Sequence, residues 1–161
     1  MDVLRNVLSR LAALVPGYAG YAEREKRRET DQALRLAIAA RIGAAHAAVD
    51  RRIAECARTQ RFENLEPLSG IARRLARLAD VARHAPAGYS GLFDAAEVDA
   101  AALDRLYASD LAARESCEHL VEAVEGIPAS AEAAFLESVE RALVEAENAL
   151  MQRDLLLSGV K

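Results

Sequence analysis

The chain has 161 residues, 52% of them apolar but only 4% aromatic, and no Trp, so it can bury one core and reads as one domain, 1–161. Eight Gly and four Pro are too few for the many turns of a sandwich or barrel. Leu, Ala, Arg and Glu dominate instead, the composition of a helical bundle. The net charge of −4 conceals an asymmetry described below.

Residues 1–15 read as a short amphipathic helix. Val3, Leu4, Val7, Leu8, Leu11 and Leu14 recur at spacings of three and four, Asp2 suits an N-cap, and Pro16-Gly17 stops the run. Pro16 to Tyr21 then places Pro, two Gly and two Tyr in six residues, a rigid corner. From Ala22 to about Phe62 the pattern predicts a helix of about 40 residues, ~60 Å long, with a seam of Leu34, Ile38, Ile42, Ala45, Val49, Ile53 and Cys56. Asn64–Pro67 interrupts it, and Leu68, Ile71, Leu75, Leu78 and Ala82 form the next seam, ending near Ala85. Pro86–Asp99 is a second non-helical island, whose Tyr89, Leu92 and Phe93 are too apolar for a solvated linker. Asp99 caps a helix to about Glu125, with Leu103, Leu106, Cys117, Leu120 and Val124 inward. Ser130 caps the last, with Phe135, Val139, Leu143, Ala146 and Leu150 inward, reaching roughly Leu156 before a frayed tail. The expected fold is all-α: an antiparallel bundle of four long helices over 22–157, behind the short N-terminal helix.

Asp110 is the oddest residue, seven after Leu103 and near the inward stripe. The reading adopted is a boundary position with its head in solvent. The alternative is a buried carboxylate paired with an arginine or a tyrosine hydroxyl, fixing register.

Residues 1–85 carry 16 basic and 10 acidic residues, net +6; residues 86–161 carry 5 and 15, net −10. The plain reading is a basic helix pair packed beside an acidic pair, with ion pairs at the rims. The sharper one is an oriented molecule with a basic flank toward an acidic partner or lipid. Nucleic acid is not expected: "REKRRE" interleaves glutamates with its bases, and no helix-turn-helix or ribonucleoprotein motif appears.

Chemistry is sparse. A di-iron bundle needs Glu-x-x-His, but Gly43, Val81 and Ser116 stand three before His46, His84 and His119. Cys117-x-His119 points to different helix faces and is no zinc motif. No P-loop, dinucleotide fingerprint or Gly-x-Ser-x-Gly is present. No metal, cofactor or catalytic residue is expected. Cys56 and Cys117 read as buried free thiols, and Asp2, Arg5 and Arg10 spoil a signal peptide, so a cytoplasmic location is expected.

Two segments, "PGYAGYAEREKRRETD" and "GYSGLFDAAEVDAAALDRLYASD", resemble an uncharacterised family of small bacterial helical proteins. Its pattern is Pro-Gly-Tyr-x-Gly-Tyr before a charged run, then Gly-Tyr-Ser-Gly-(Leu/Phe)-Phe-Asp before Leu-x-x-Leu-Tyr. The matching residues are Pro16, Gly17, Tyr18, Gly20, Tyr21, Arg27 and Arg28, then Gly88 to Gly91, Phe93, Asp94, Leu103, Leu106 and Tyr107. The resemblance implies a shared bundle and no assigned activity.

An antiparallel course would bring the two glycine-tyrosine islands together at one end. The expected function is a non-enzymatic scaffold that binds an unidentified protein partner, or itself, through Tyr18, Tyr21, Arg27, Arg28, Tyr89, Phe93 and Asp94. The alternative is a peripheral protein of an anionic inner-membrane surface, anchored by Val3, Leu4, Val7, Leu8, Leu11 and Leu14. Its layout is similar to that of phage-shock and ESCRT-III-like proteins, which implies an envelope-stress setting.

Overall fold

The computed structural model describes residues 2–84, 91–95, 97–126 and 132–159. Among them every regular element is helical: α1 (Asp2–Leu14), α2 (Arg27–Arg58), α3 (Leu65–His84), α4 (Gly91–Asp94), α5 (Ala100–Glu125) and α6 (Glu132–Gly159), with single 3-10 turns at Arg24–Lys26 and Phe62–Asn64. α2 packs most extensively on α3, α5 on α6, and α2 on α5; α1 lies on α5, and α3 touches α6 more sparingly.

The spacing of apolar residues sets these contacts. The expected seams of α2 and α3 are buried, except that Ile53 is only partly covered. On α5, Leu106, Cys117, Leu120 and Val124 turn inward, and on α6 Phe135, Val139, Leu143, Ala146 and Leu150 do so. All belong to one continuous core. Both cysteines are buried. Asp99 caps α5 as expected, its carboxylate accepting from Ala102 N. The Ser130 cap lies outside the described residues. α6 continues to Gly159, past the expected end.

Two further boundaries differ from the sequence pattern. α2 begins at Arg27 rather than Ala22, because residues 22–26 complete the corner and a 3-10 turn. It also ends at Arg58, before Phe62. There Gln60 takes φ +57°, Arg61 N donates to Cys56 O (2.9 Å), and Gln60 N donates to Ala57 O (3.2 Å). Those two bonds make a Schellman stop, with Gln where Gly is usual. Pro67 sits in the first turn of α3, where a missing N–H costs no helical bond.

α1 docks on the bundle. Leu11 and Val15 are fully buried, while Leu4, Val7, Leu8 and Leu14 are half-buried against the core. Arg10 pairs with Glu115 of α5 at the rim. Among the described residues no helix is long and apolar enough to cross a membrane.

Candidate functional site

The corner after α1 holds the densest buried polar cluster among the described residues. Val15 N bonds Leu11 O and Tyr18 N bonds Val15 O, turning the chain off α1. Gly17 and Gly20 take φ of +84° and +82°, values that L side chains rarely adopt. At Gly20 the space is also limited: a Cβ would lie 3.1 Å from the Tyr107 hydroxyl. Thr30 Oγ1 donates to Gly20 O (2.9 Å), fastening the corner to α2.

Three tyrosines converge there. The rings of Tyr18 and Tyr21 meet edge to face at 5.9 Å, and Tyr21 stacks on Tyr107 of α5 at 5.7 Å. Tyr107 Oη accepts from Tyr21 N (2.8 Å). Both corner hydroxyls donate to Asp110 Oδ2, each at 2.7 Å. The other oxygen, Oδ1, accepts from Arg153 Nε of α6 (2.7 Å). Arg153 Nη2 also reaches Asp31 Oδ1 of α2 (2.5 Å) and Tyr21 Oη (3.2 Å). Asp31 Oδ2 accepts from Arg35 Nε (2.9 Å), and Arg35 Nη2 continues to Asp154 (3.2 Å). Asp31 and Asp110 are wholly buried and Arg153 is 1% exposed. The network thus ties the corner, α2, α5 and α6 around two buried carboxylates and two guanidiniums, with Asp154 at its outer end.

The electrostatics follow from burial. Burial is the largest influence pushing the Tyr18 and Tyr21 hydroxyls well above the ordinary tyrosine range, reinforced by the Asp110 charge. Burial also raises Tyr107. For Arg153, burial works against the charge, but Asp110, Tyr21 and Asp31 outweigh it and push its pKa well up. The guanidinium therefore stays charged.

The boundary reading of Asp110 is corrected by these contacts: it is interior, paired with an arginine and two tyrosine hydroxyls. Tyr18 and Tyr21 are likewise turned inward, 8% and 0% exposed, rather than displayed to a partner. Arg27 is 2% exposed, because its guanidinium caps backbone carbonyls: Nε donates to Tyr21 O, and Nη1 to Leu92 O and Ala95 O, all at 2.8 Å. These last bonds bring the described part of the second island against the corner. Phe93 is 5% exposed beneath the exposed Arg28, whose guanidinium lies 5.0 Å from the ring centroid. Tyr89 lies outside the described residues. Asp94 ends α4, beside Phe93 in sequence.

Sequence reasoning did not single out Arg153 or Asp31. A signal existed for both. Arg153 falls three after Leu150 and four before Leu157, on the inward register of α6, and Asp31 falls three before Leu34 on that of α2.

The chain matches no protein-family model, no curated protein and no solved structure. Among the described residues no three His, Cys, Asp or Glu side chains gather as metal ligands.

Proposed function

We propose that the protein is a non-enzymatic interaction or scaffold module, built as an antiparallel bundle of four long helices and recognised at its corner end. The observation carrying this reading is the direction in which the corner's polar groups face. Both oxygens of Asp110, both oxygens of Asp31 and the corner hydroxyls are committed to partners inside the chain. A reaction needs groups that can turn to a substrate; these hold elements together. What the locked corner offers outward is a pre-formed surface, with Arg28 seated on Phe93 and the exposed Arg24–Lys26 turn beside it. Such preorganisation lowers the entropic cost of docking.

The test is affinity capture with the wild-type chain against Arg24→Glu/Arg28→Glu and a distal Arg51→Glu control, with light scattering to report self-association. A partner, or a second copy, lost only from the corner variant supports the reading. Equal capture by all three, with no self-association, removes the corner from it.

A membrane-surface role is favoured by one observation: Leu4, Val7, Leu8 and Leu14 stay half-exposed on docked α1. It requires α1 to leave α5 and uncover Leu11. Flotation of the full chain with anionic vesicles, compared with a chain lacking residues 1–15, decides it.

A further inference from the structure

A cleft of about 530 Å³ opens between the start of α2 and the end of α3, lined by Arg28, Asp31, Gln32, Arg35 and Leu36 of α2 and by Arg83 and His84 of α3. Three of these seven residues are arginines. The acid among them does not set the character of the cleft. Asp31 is wholly buried, with one oxygen held by Arg153 from the core side and the other by Arg35.

Arg35 commits Nε to Asp31 and Nη2 to Asp154, and its Nη1 has no hydrogen-bond partner among the described residues. It is therefore an immobilised guanidinium with donor capacity left over. Arg28 is positioned by its ring contact with Phe93 and by a further polar interaction within the protein, so it contributes to the cleft as a held charge and not as a free donor. Arg83 and His84 stand exposed in the last turn of α3, with no ion pair among the described residues. A helix C-terminus favours one nearby cation. That does not account for two arginines on the facing helix converging on the same space. A guanidinium fork pairs with carboxylate or phosphate alike, and a tetrahedral phosphate offers more acceptor oxygens with which to reach both walls at once.

We propose that this cleft binds a phosphate group, carried either by a free small molecule or by a lipid headgroup. The proposal needs no partner protein; it shares Arg28 with the interaction surface, and Arg83 and His84, which that surface does not include, tell the two apart.

The test uses the full chain and inorganic phosphate. Thermal unfolding is followed during a phosphate titration at constant ionic strength, with acetate as the reference anion. The expected result is a saturable rise in Tm, roughly 5–10 °C at a hundredfold excess over Kd. In Arg83→Ser/His84→Gln, phosphate affinity should fall at least tenfold while helicity by circular dichroism is unchanged. Those two side chains are exposed, so the fold does not depend on them. If that variant unfolds, Arg28→Gln is the second reporter, with the same loss expected. Vesicles bearing phosphatidic acid, against phosphatidylserine vesicles of equal charge, separate the sources. Selective flotation by wild type, lost in the variant, assigns a headgroup; a Tm response without flotation assigns a free phosphate. An acetate-like, non-saturating response without selective flotation overturns the proposal, and so does an unchanged response in a folded variant.

Discussion

Asp110 brings a charge into the interior, and its two oxygens serve different donors: Oδ2 takes two tyrosine hydroxyls, Oδ1 a guanidinium. Removing water from such a pair is costly, and the pair survives because both Asp110 oxygens and the Nε and Nη2 of Arg153 find partners. Breaking it is therefore worse than never having it. Asp110→Asn leaves Arg153 with less compensation and should cost about 3–5 kcal/mol, read as a fall in the urea midpoint with m unchanged. A loss under 1 kcal/mol would mean that Asp31 alone holds the guanidinium. The corner glycines give a graded test. Gly17→Ala meets only Ala33 at an ordinary 3.8 Å, so it should cost the left-handed backbone term, about 1–2 kcal/mol. Gly20→Ala has the same φ and also crowds the Tyr107 hydroxyl that accepts from Tyr21 N, so it should cost about 1 kcal/mol more. Equal losses would show that Tyr107 gives way freely. At this scale the sequence was half legible. The inward register of Asp110 could be counted from Leu103, but carboxylates are so rarely buried that exposure was the natural expectation. Its partners lie 43 to 92 residues away, and no local spacing names them.

Helix existence was legible from period, and helix ends less so. The helical pattern of α2 carries on to about Phe62 in sequence, yet the helix stops at Arg58 because a Schellman pair of bonds competes with one more turn. Gln60 adopts φ +57° to make it, without glycine's freedom. Gln60→Gly should therefore stabilise the protein by about 0.5–1 kcal/mol, measured by chemical denaturation. No gain would mean that the Gln60 side chain offsets its backbone strain. The docking of α1 has a similar division. Its apolar face was plain in the sequence, but whether that face meets α5 or a membrane was not, since both reward the same spacing. Leu11 and Val15, fully buried, hold it, and the Arg10–Glu115 pair sits at a rim where water screens it. Leu11→Ala should cost about 2–4 kcal/mol. Reversal by Arg10→Glu should cost less than about 1 kcal/mol. Comparable losses would mean that charge, rather than burial, seats α1.

Across the whole molecule, the charge asymmetry resolves largely into contacts between its two halves. Arg10 meets Glu115, Arg41 meets Glu118, and Arg74 meets Glu140 and Glu147, so basic and acidic segments neutralise one another along their length. Composition showed the imbalance but not this pairing, because pairing depends on which helices become neighbours. Those rims are weak and salt-sensitive; the buried network is neither. Alkali, rather than salt, should then find the weak point of the fold. Well below pH 9 the buried thiol and phenols are neutral in both folded and unfolded chains, and they confer no pH dependence. Above it, the unfolded chain releases protons that the folded chain keeps: Cys117, pushed up to about 12 by burial, from about pH 9, and Tyr18 and Tyr21 from about pH 10. The native state then binds more protons than the unfolded state, so stability must fall as pH rises. Each group contributes about 1.4 kcal/mol per pH unit between its unfolded and folded values. Unfolding midpoints should be level from pH 7 to 9 and drop steeply between 10 and 12. Tyr18→Phe should flatten that drop by one group's slope, even though it removes a hydrogen bond to Asp110 and lowers the plateau. A native chain with a tyrosine absorbance step near pH 10 that shrinks in Tyr18→Phe, without unfolding, would mean that the corner opens to solvent, and that its three rings are not the lock this geometry makes them.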